Sequence, residues 1–80
     1  MDKIRLRWAC RRGMLELDLL LSPFLENAFG HLKADQQQLF ELFLAENDQD
    51  LYAWILGFRD CPIEKFHPLL TEIRRYHAIE

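Results

Sequence analysis

The sequence predicts an all-α protein, a compact bundle of four to five short helices. Three observations carry that expectation. Apolar residues recur at three- and four-residue spacing through most of the chain. No segment sustains the two-residue alternation of a half-buried strand. Glycine, proline or a capping residue interrupts the helical pattern at short intervals, and the connections between segments are tight. Eighty residues make one domain, spanning 1–80.

The first helix is expected over residues 3–11, short, basic and amphipathic, with Ile4 and Trp8 one turn apart. Arg11 and Arg12 fall at its C-terminal end, where cations complement the helix dipole. Gly13 suits the left-handed position that ends many helices. The second segment runs from about Met14 to Phe29, with Glu16 and Asp18 near its positive end. Leu15, Leu19 and Ser22 or Pro23 share one stripe; Leu17, Leu20 or Leu21, and Phe24 share another. Pro23 has no N–H to donate and should kink or split this segment, and Gly30 should close it. A third helix starts near Ala34 or Asp35, shows Leu39, Phe40, Leu42 and Phe43 on its apolar face, and ends by Asn47. Asp48 is the expected N-cap of a fourth helix, in which Leu51, Trp54, Ile55 and Phe58 recur at i, i+3, i+4 and i+7 before or around Gly57. Pro62 should open the last segment, with Ile63, Phe66, Leu70, Ile73 and Tyr76 or His77 along its stripe. Pro68 falls too late for a first turn that begins at Pro62, so this helix either starts nearer His67 or bends.

Half the residues are hydrophobic, including six Phe, two Trp and two Tyr. A chain this small buries only about 60–65% of its unfolded surface. Either the helices enclose a well-filled small core or part of the apolar load stays outside as a partner surface. Trp54, at helical spacing with its neighbours, reads as core; Trp8 suits either role. The net charge of −3 hides an asymmetry: residues 1–12 carry net +4, residues 13–58 net −7, and residues 59–80 balance. Such polarity favours oriented docking to another protein.

Catalytic chemistry is not spelled out. Ser22 and Thr71 are the only hydroxyl residues besides the tyrosines, and neither sits in a motif. The glycines are isolated, so there is no phosphate loop. His31, His67 and His77 share no ligand spacing with each other or with Cys10 and Cys61. Glu16 and Asp18 point different ways on a helix and make a poor acid–base pair. The protein is therefore expected not to be an enzyme and to bind no metal. Nucleic acid is not expected as a partner, because the middle of the chain, where a recognition helix would lie, is acidic. No apolar run approaches the ~20 residues of a membrane span, so no membrane insertion is expected. The N-terminus begins with charge, so a secretory signal is not expected, and two thiols without one suit a reducing compartment. A cytoplasmic protein, monomeric when free, is the expectation.

The most informative stretch is Arg11-Arg12-Gly13-Met14-Leu15-Glu16-Leu17-Asp18, where the charge reverses about a glycine. Its local features alone are explained by a capped helix end, two dipole partners and two first-turn acids. The longer run Trp8-Ala9-Cys10-Arg11-Arg12-Gly13-Met14-Leu15-Glu16-Leu17-Asp18, followed by Pro23-Phe24, resembles the signature of the small bacterial flavinylation factors for succinate dehydrogenase, relatives of mitochondrial succinate dehydrogenase assembly factor 2. The family core Arg-Gly-x-x-Glu is matched by Arg12, Gly13 and Glu16. A second block, acidic residues followed by Leu-x-x-Trp, is matched by Asp48, Asp50, Leu51 and Trp54. The resemblance covers nearly the whole chain; some members carry a longer tail after the last helix.

The resemblance implies a five-helix bundle that binds the flavoprotein subunit of succinate dehydrogenase, or of fumarate reductase, and promotes covalent attachment of FAD to a histidine of that partner. FAD then belongs to the partner, and this chain binds none tightly. The partner-binding residues so implied are Trp8, Arg11, Arg12, Gly13, Met14, Glu16 and Asp18. Arg12 and Glu16 would make charge-assisted hydrogen bonds to the partner, Gly13 would permit close backbone approach, and Met14 would give adaptable contact. The alternative keeps the fold and changes the task, to a non-enzymatic interaction module such as an antitoxin-like partner of a membrane-associated protein.

Overall fold

A computed structural model describes residues 2–79. It contains five α-helices: α1 (Lys3–Cys10), α2 (Leu15–Asn27), α3 (Ala34–Phe43), α4 (Asp48–Leu56) and α5 (His67–Tyr76). Single 3₁₀ turns at Phe29–His31 and Glu64–Phe66 lead into α3 and α5. Among the described residues there is no strand, and no helix is long and apolar enough to cross a membrane.

The core follows the stripes. Leu17, Leu21, Phe24 and Leu25 make α2 the central helix, packed against α1, α4 and α5. Leu6 and Cys10 close α1 onto it. An aromatic seam joins the layers: Phe24 meets Phe40 in a tilted pair at 5.6 Å, and Phe43 meets Phe66 edge-on at 5.3 Å and Trp54 at 6.4 Å. Trp54 is buried, as expected of a core residue. No polar or charged residue is fully buried among the described residues, so the interior is held by apolar packing and polar groups work at its margins.

Several ends differ from the sequence expectation. Asn47, not Asp48, caps α4; its side chain accepts the N–H of Asp50 at 2.9 Å. Asp48 is the first helical residue, where its charge meets the positive end of the dipole. Pro23 neither splits α2 nor ends it. Its missing N–H would have served the carbonyl of Leu19, a residue on the exposed side of the helix. Helix α2 stops at Asn27, with Gly30 inside the following 3₁₀ turn. Helix α5 starts at His67 with Pro68 in its first turn, while Pro62 lies in the loop before it. Gly57 ends α4 at φ +79°, which turns Phe58 out of the stripe to 71% exposure.

Two margins lock the bundle. His77 Nε2 lies 2.6 Å from the carbonyl of Leu20; a carbonyl only accepts, so this nitrogen carries the proton and ties the end of α5 to α2. On the other side, Glu26 of α2 accepts from Arg7 of α1 at 2.6 Å, with Lys3 at 3.8 Å. The hydrogen bond from Arg7, aided by the charges of Arg7 and Lys3, holds the Glu26 carboxyl below its ordinary 4.5. A depressed carboxyl stabilises the fold fully above its unfolded value and loses that contribution as pH falls through the folded value. The Arg7–Glu26 tie between α1 and α2 should therefore persist to below pH 4.5. Carboxyl NMR should give Glu26 a midpoint below 4.5, rising toward 4.5 in Arg7→Ala; an unchanged midpoint in the variant would contradict the pairing.

Cys10 is fully buried, and burial pushes its thiol up to about 12. The thiolate is the reactive form. In a Cys61→Ser background, an aromatic disulfide reagent at pH 8 should thus modify Cys10 at the rate of unfolding, and burst labelling of the native variant would refute this.

Candidate functional site

The site is the turn from α1 to α2 and the ground on which it stands. Helix α1 ends with Arg11 in extended conformation. Gly13 follows at φ +79°, a conformation that costs side-chain-bearing residues roughly 1–2 kcal/mol. It therefore shapes the connector, two residues beyond the cap of α1, and is not itself that cap. A methyl group built on Gly13 meets nothing within 4 Å. The glycine is required by its backbone angle, and the space beside it is open to solvent.

Arg12 turns inward. Its Nε donates to Asp48 Oδ1 at 2.7 Å; Nη1 donates to the carbonyls of Ala9 at 2.9 Å and Leu44 at 2.7 Å; Nη2 donates to the carbonyl of Glu46 at 2.8 Å. The side chain is only 15% exposed. It thereby satisfies carbonyls at the ends of α1 and α3, which have no partner within their own helices, and pairs with the first residue of α4. Its own N–H donates to Asp18 Oδ1 at 2.7 Å. The expectation that Arg12 reaches out to a partner meets a guanidinium spent on internal bonds. Through these bonds Arg12 and Asp18 hold the connector against α2, α3 and α4.

The second signature block belongs to the same structure. Asp48 anchors Arg12, Asp50 pairs with Arg59 at 2.6 Å, and Leu51 and Trp54 are buried. The two separated blocks thus meet through one ion pair. Sequence reasoning placed Asp48 as a cap; its acidic neighbourhood in the second block was the available signal for its true part.

What the connector presents is different. Glu16 is exposed, and its carboxylate makes no hydrogen bond or ion pair with the described residues. Arg11 is exposed, its guanidinium 5.8 Å from the ring centre of Trp8, a cation–π arrangement. Trp8 is 70% exposed. Met14 is half-buried and packed against the core, offering only part of its side chain. Arg11, Gly13, Asp18, Leu19, Pro23 and Glu26 help line an open groove of about 690 Å³ along α2. Leu15 and Leu19, read in sequence as one stripe of α2, stand outside the core beside this turn.

Among the described residues no cluster of His, Cys, Asp or Glu is arranged to hold a metal ion. The groove along α2 carries charge of both signs. Asp18 and Glu26 both line it with Arg11. The arrangement offers a carboxylate, a stacked guanidinium and apolar area about a bare glycine.

Comparison with known proteins agrees with the signature. Residues 4–77 match the family described as flavinator of succinate dehydrogenase. A relative from Legionella pneumophila (strain Paris), named FAD assembly factor SdhE, is 49% identical over 73 residues, covering 91% of each chain. Proteins of the same name from Idiomarina loihiensis and Shewanella oneidensis are 45% identical over 69 residues and 40% over 74. These alignments cover 86% of this chain and 77% of the relative, and 92% and 90%, respectively. No solved structure matches. With the match spanning both blocks and all five helices, the chain belongs to the family of succinate dehydrogenase flavinators.

Proposed function

We propose that this protein is a cytoplasmic assembly chaperone that binds the flavoprotein subunit of succinate dehydrogenase and promotes covalent attachment of FAD to it. Fumarate reductase, whose flavoprotein resembles that subunit in task, is a second client. The observation that carries the reading is the division within the signature: Arg12 is consumed in holding the connector, while Gly13 and Glu16 of the same signature stand exposed. A carboxylate with no internal partner beside a bare backbone is well suited to charge-assisted bonding across an interface.

The factor supplies position. FAD and the histidine that receives it both belong to the partner, and no side chain of this chain enters the reaction. Glu16 and Arg11 grip the partner near its flavin site, Gly13 lets the backbones approach, and Trp8 adds apolar area. Docking favours the partner arrangement in which histidine and flavin are aligned, a gain that orientation alone can supply. The test is an assay with purified apo flavoprotein subunit and FAD, read by in-gel fluorescence of covalent flavin. Wild type should accelerate flavinylation. Absence of both acceleration and complex would refute the proposal.

A further inference from the structure

Helix α1 has an outer face that the core leaves open, and of the signature residues only Trp8 and Arg11 lie on it. Leu6 and Cys10 point into the core. On the opposite side Ile4 and Trp8, one turn apart, are 65% and 70% exposed. At 100° per residue the pair is flanked by Lys3, Arg7 and Arg11 on one side and by Arg5 on the other. With Arg7 and Arg11, the pair lines a shallow hollow of about 160 Å³. Arg11 also lines the groove along α2, so the two surfaces are continuous.

Building on the proposed function, we infer that the outer face of α1 is a second docking surface, whose occupant is an apolar knob rimmed by carboxylates on the same flavoprotein subunit. Charge selects the occupant. Arg5 and Arg11 flank the pair with no carboxylate partner among the described residues, while residues 13–58 carry net −7, so an acidic patch on the partner is attracted to this face of α1 and repelled elsewhere, which fixes orientation. An anionic bilayer fits the face less well. Helix α1 has eight residues, about 12 Å, and offers only Ile4 and Trp8 for insertion. Lys3 and Arg7 are already paired with Glu26, and the acidic remainder of the chain would be held off by the lipid.

Ile4→Asp and Arg5→Glu test this without touching the signature. Both side chains are exposed, and both changes add a carboxylate near the start of α1, where the dipole favours it; circular dichroism should be unchanged. Affinity for the purified apo flavoprotein subunit would be measured across a salt series, beside sedimentation with vesicles of equal parts phosphatidylglycerol and phosphatidylcholine. Each variant should weaken binding at least about tenfold, Arg5→Glu should also flatten the salt dependence, and vesicles should not bind. Wild-type affinity in both variants, with binding still lost in Gly13→Arg, would overturn the second surface and leave the proposed function standing. Vesicle binding that Ile4→Asp abolishes would overturn the choice of occupant. No binding by wild type would remove the proposed function, and this inference with it.

Discussion

Arg12→Ala should destabilise the protein by about 2–4 kcal/mol and lower its thermal midpoint by roughly 10–30 °C. The substitution removes every hydrogen bond made by the guanidinium. It leaves the carbonyls of Ala9, Leu44 and Glu46 and the carboxylate of Asp48 without their donor. These groups lie near the junction of α1, α3 and α4, so the loss is shared by three helices. Arg12→Lys should recover little, because one ammonium cannot reach a carboxylate and carbonyls on several sides as a planar fork does. Thermal melts of both variants check this. A midpoint within a few degrees of wild type would mean that the internal bonds of Arg12 contribute little, and would return it to the list of residues free to meet a partner.

Gly13→Arg should abolish complex formation while leaving the helical signal nearly intact. The bound is physical: the new side chain meets no neighbouring atom within 4 Å of its first carbon, so only the positive φ carries a cost, roughly 1–2 kcal/mol. The same open space is what an approaching backbone needs, and a long charged side chain would fill it and enter the groove. Affinity measured with the apo flavoprotein subunit, alongside circular dichroism, separates the two effects. A folded variant that binds and supports flavinylation fully would show that this glycine serves the turn alone.

Much of this was legible in the chain itself. Leu17, Leu21 and Phe24, or Leu51, Trp54 and Ile55, announce their helices because the 3.6-residue period is a local property. Helix ends were less legible. Asn47 and Asp48 are both good caps, and Pro62 and Pro68 both suit a first turn, so the choice fell to packing. Phe58 continued a stripe on paper but lies beyond Gly57, where the backbone leaves the helix. Leu15 and Leu19 had the right spacing for a core stripe, yet α2 already fills its inner face with Leu17, Leu21 and Phe24. Hardest to foresee was the inward turn of Arg12. Its partners Leu44, Glu46 and Asp48 are 32 to 36 residues away, and two are backbone carbonyls, which leave no trace in side-chain chemistry. The recurrence of an acidic block beside Leu-x-x-Trp was the one sequence sign of that contact.

The central claim is that the signature divides into residues that hold the turn and residues that meet the partner, and Glu16→Ala tests it most directly. Thermal midpoint and flavinylation rate would be measured on the same preparation with apo flavoprotein subunit and FAD. The carboxylate has no internal partner among the described residues, so its removal should shift the midpoint by no more than about 8 °C, the share of a first-turn acid. The rate should nonetheless fall to that of the subunit alone. A variant that melts like wild type and still accelerates flavinylation fully would contradict the division.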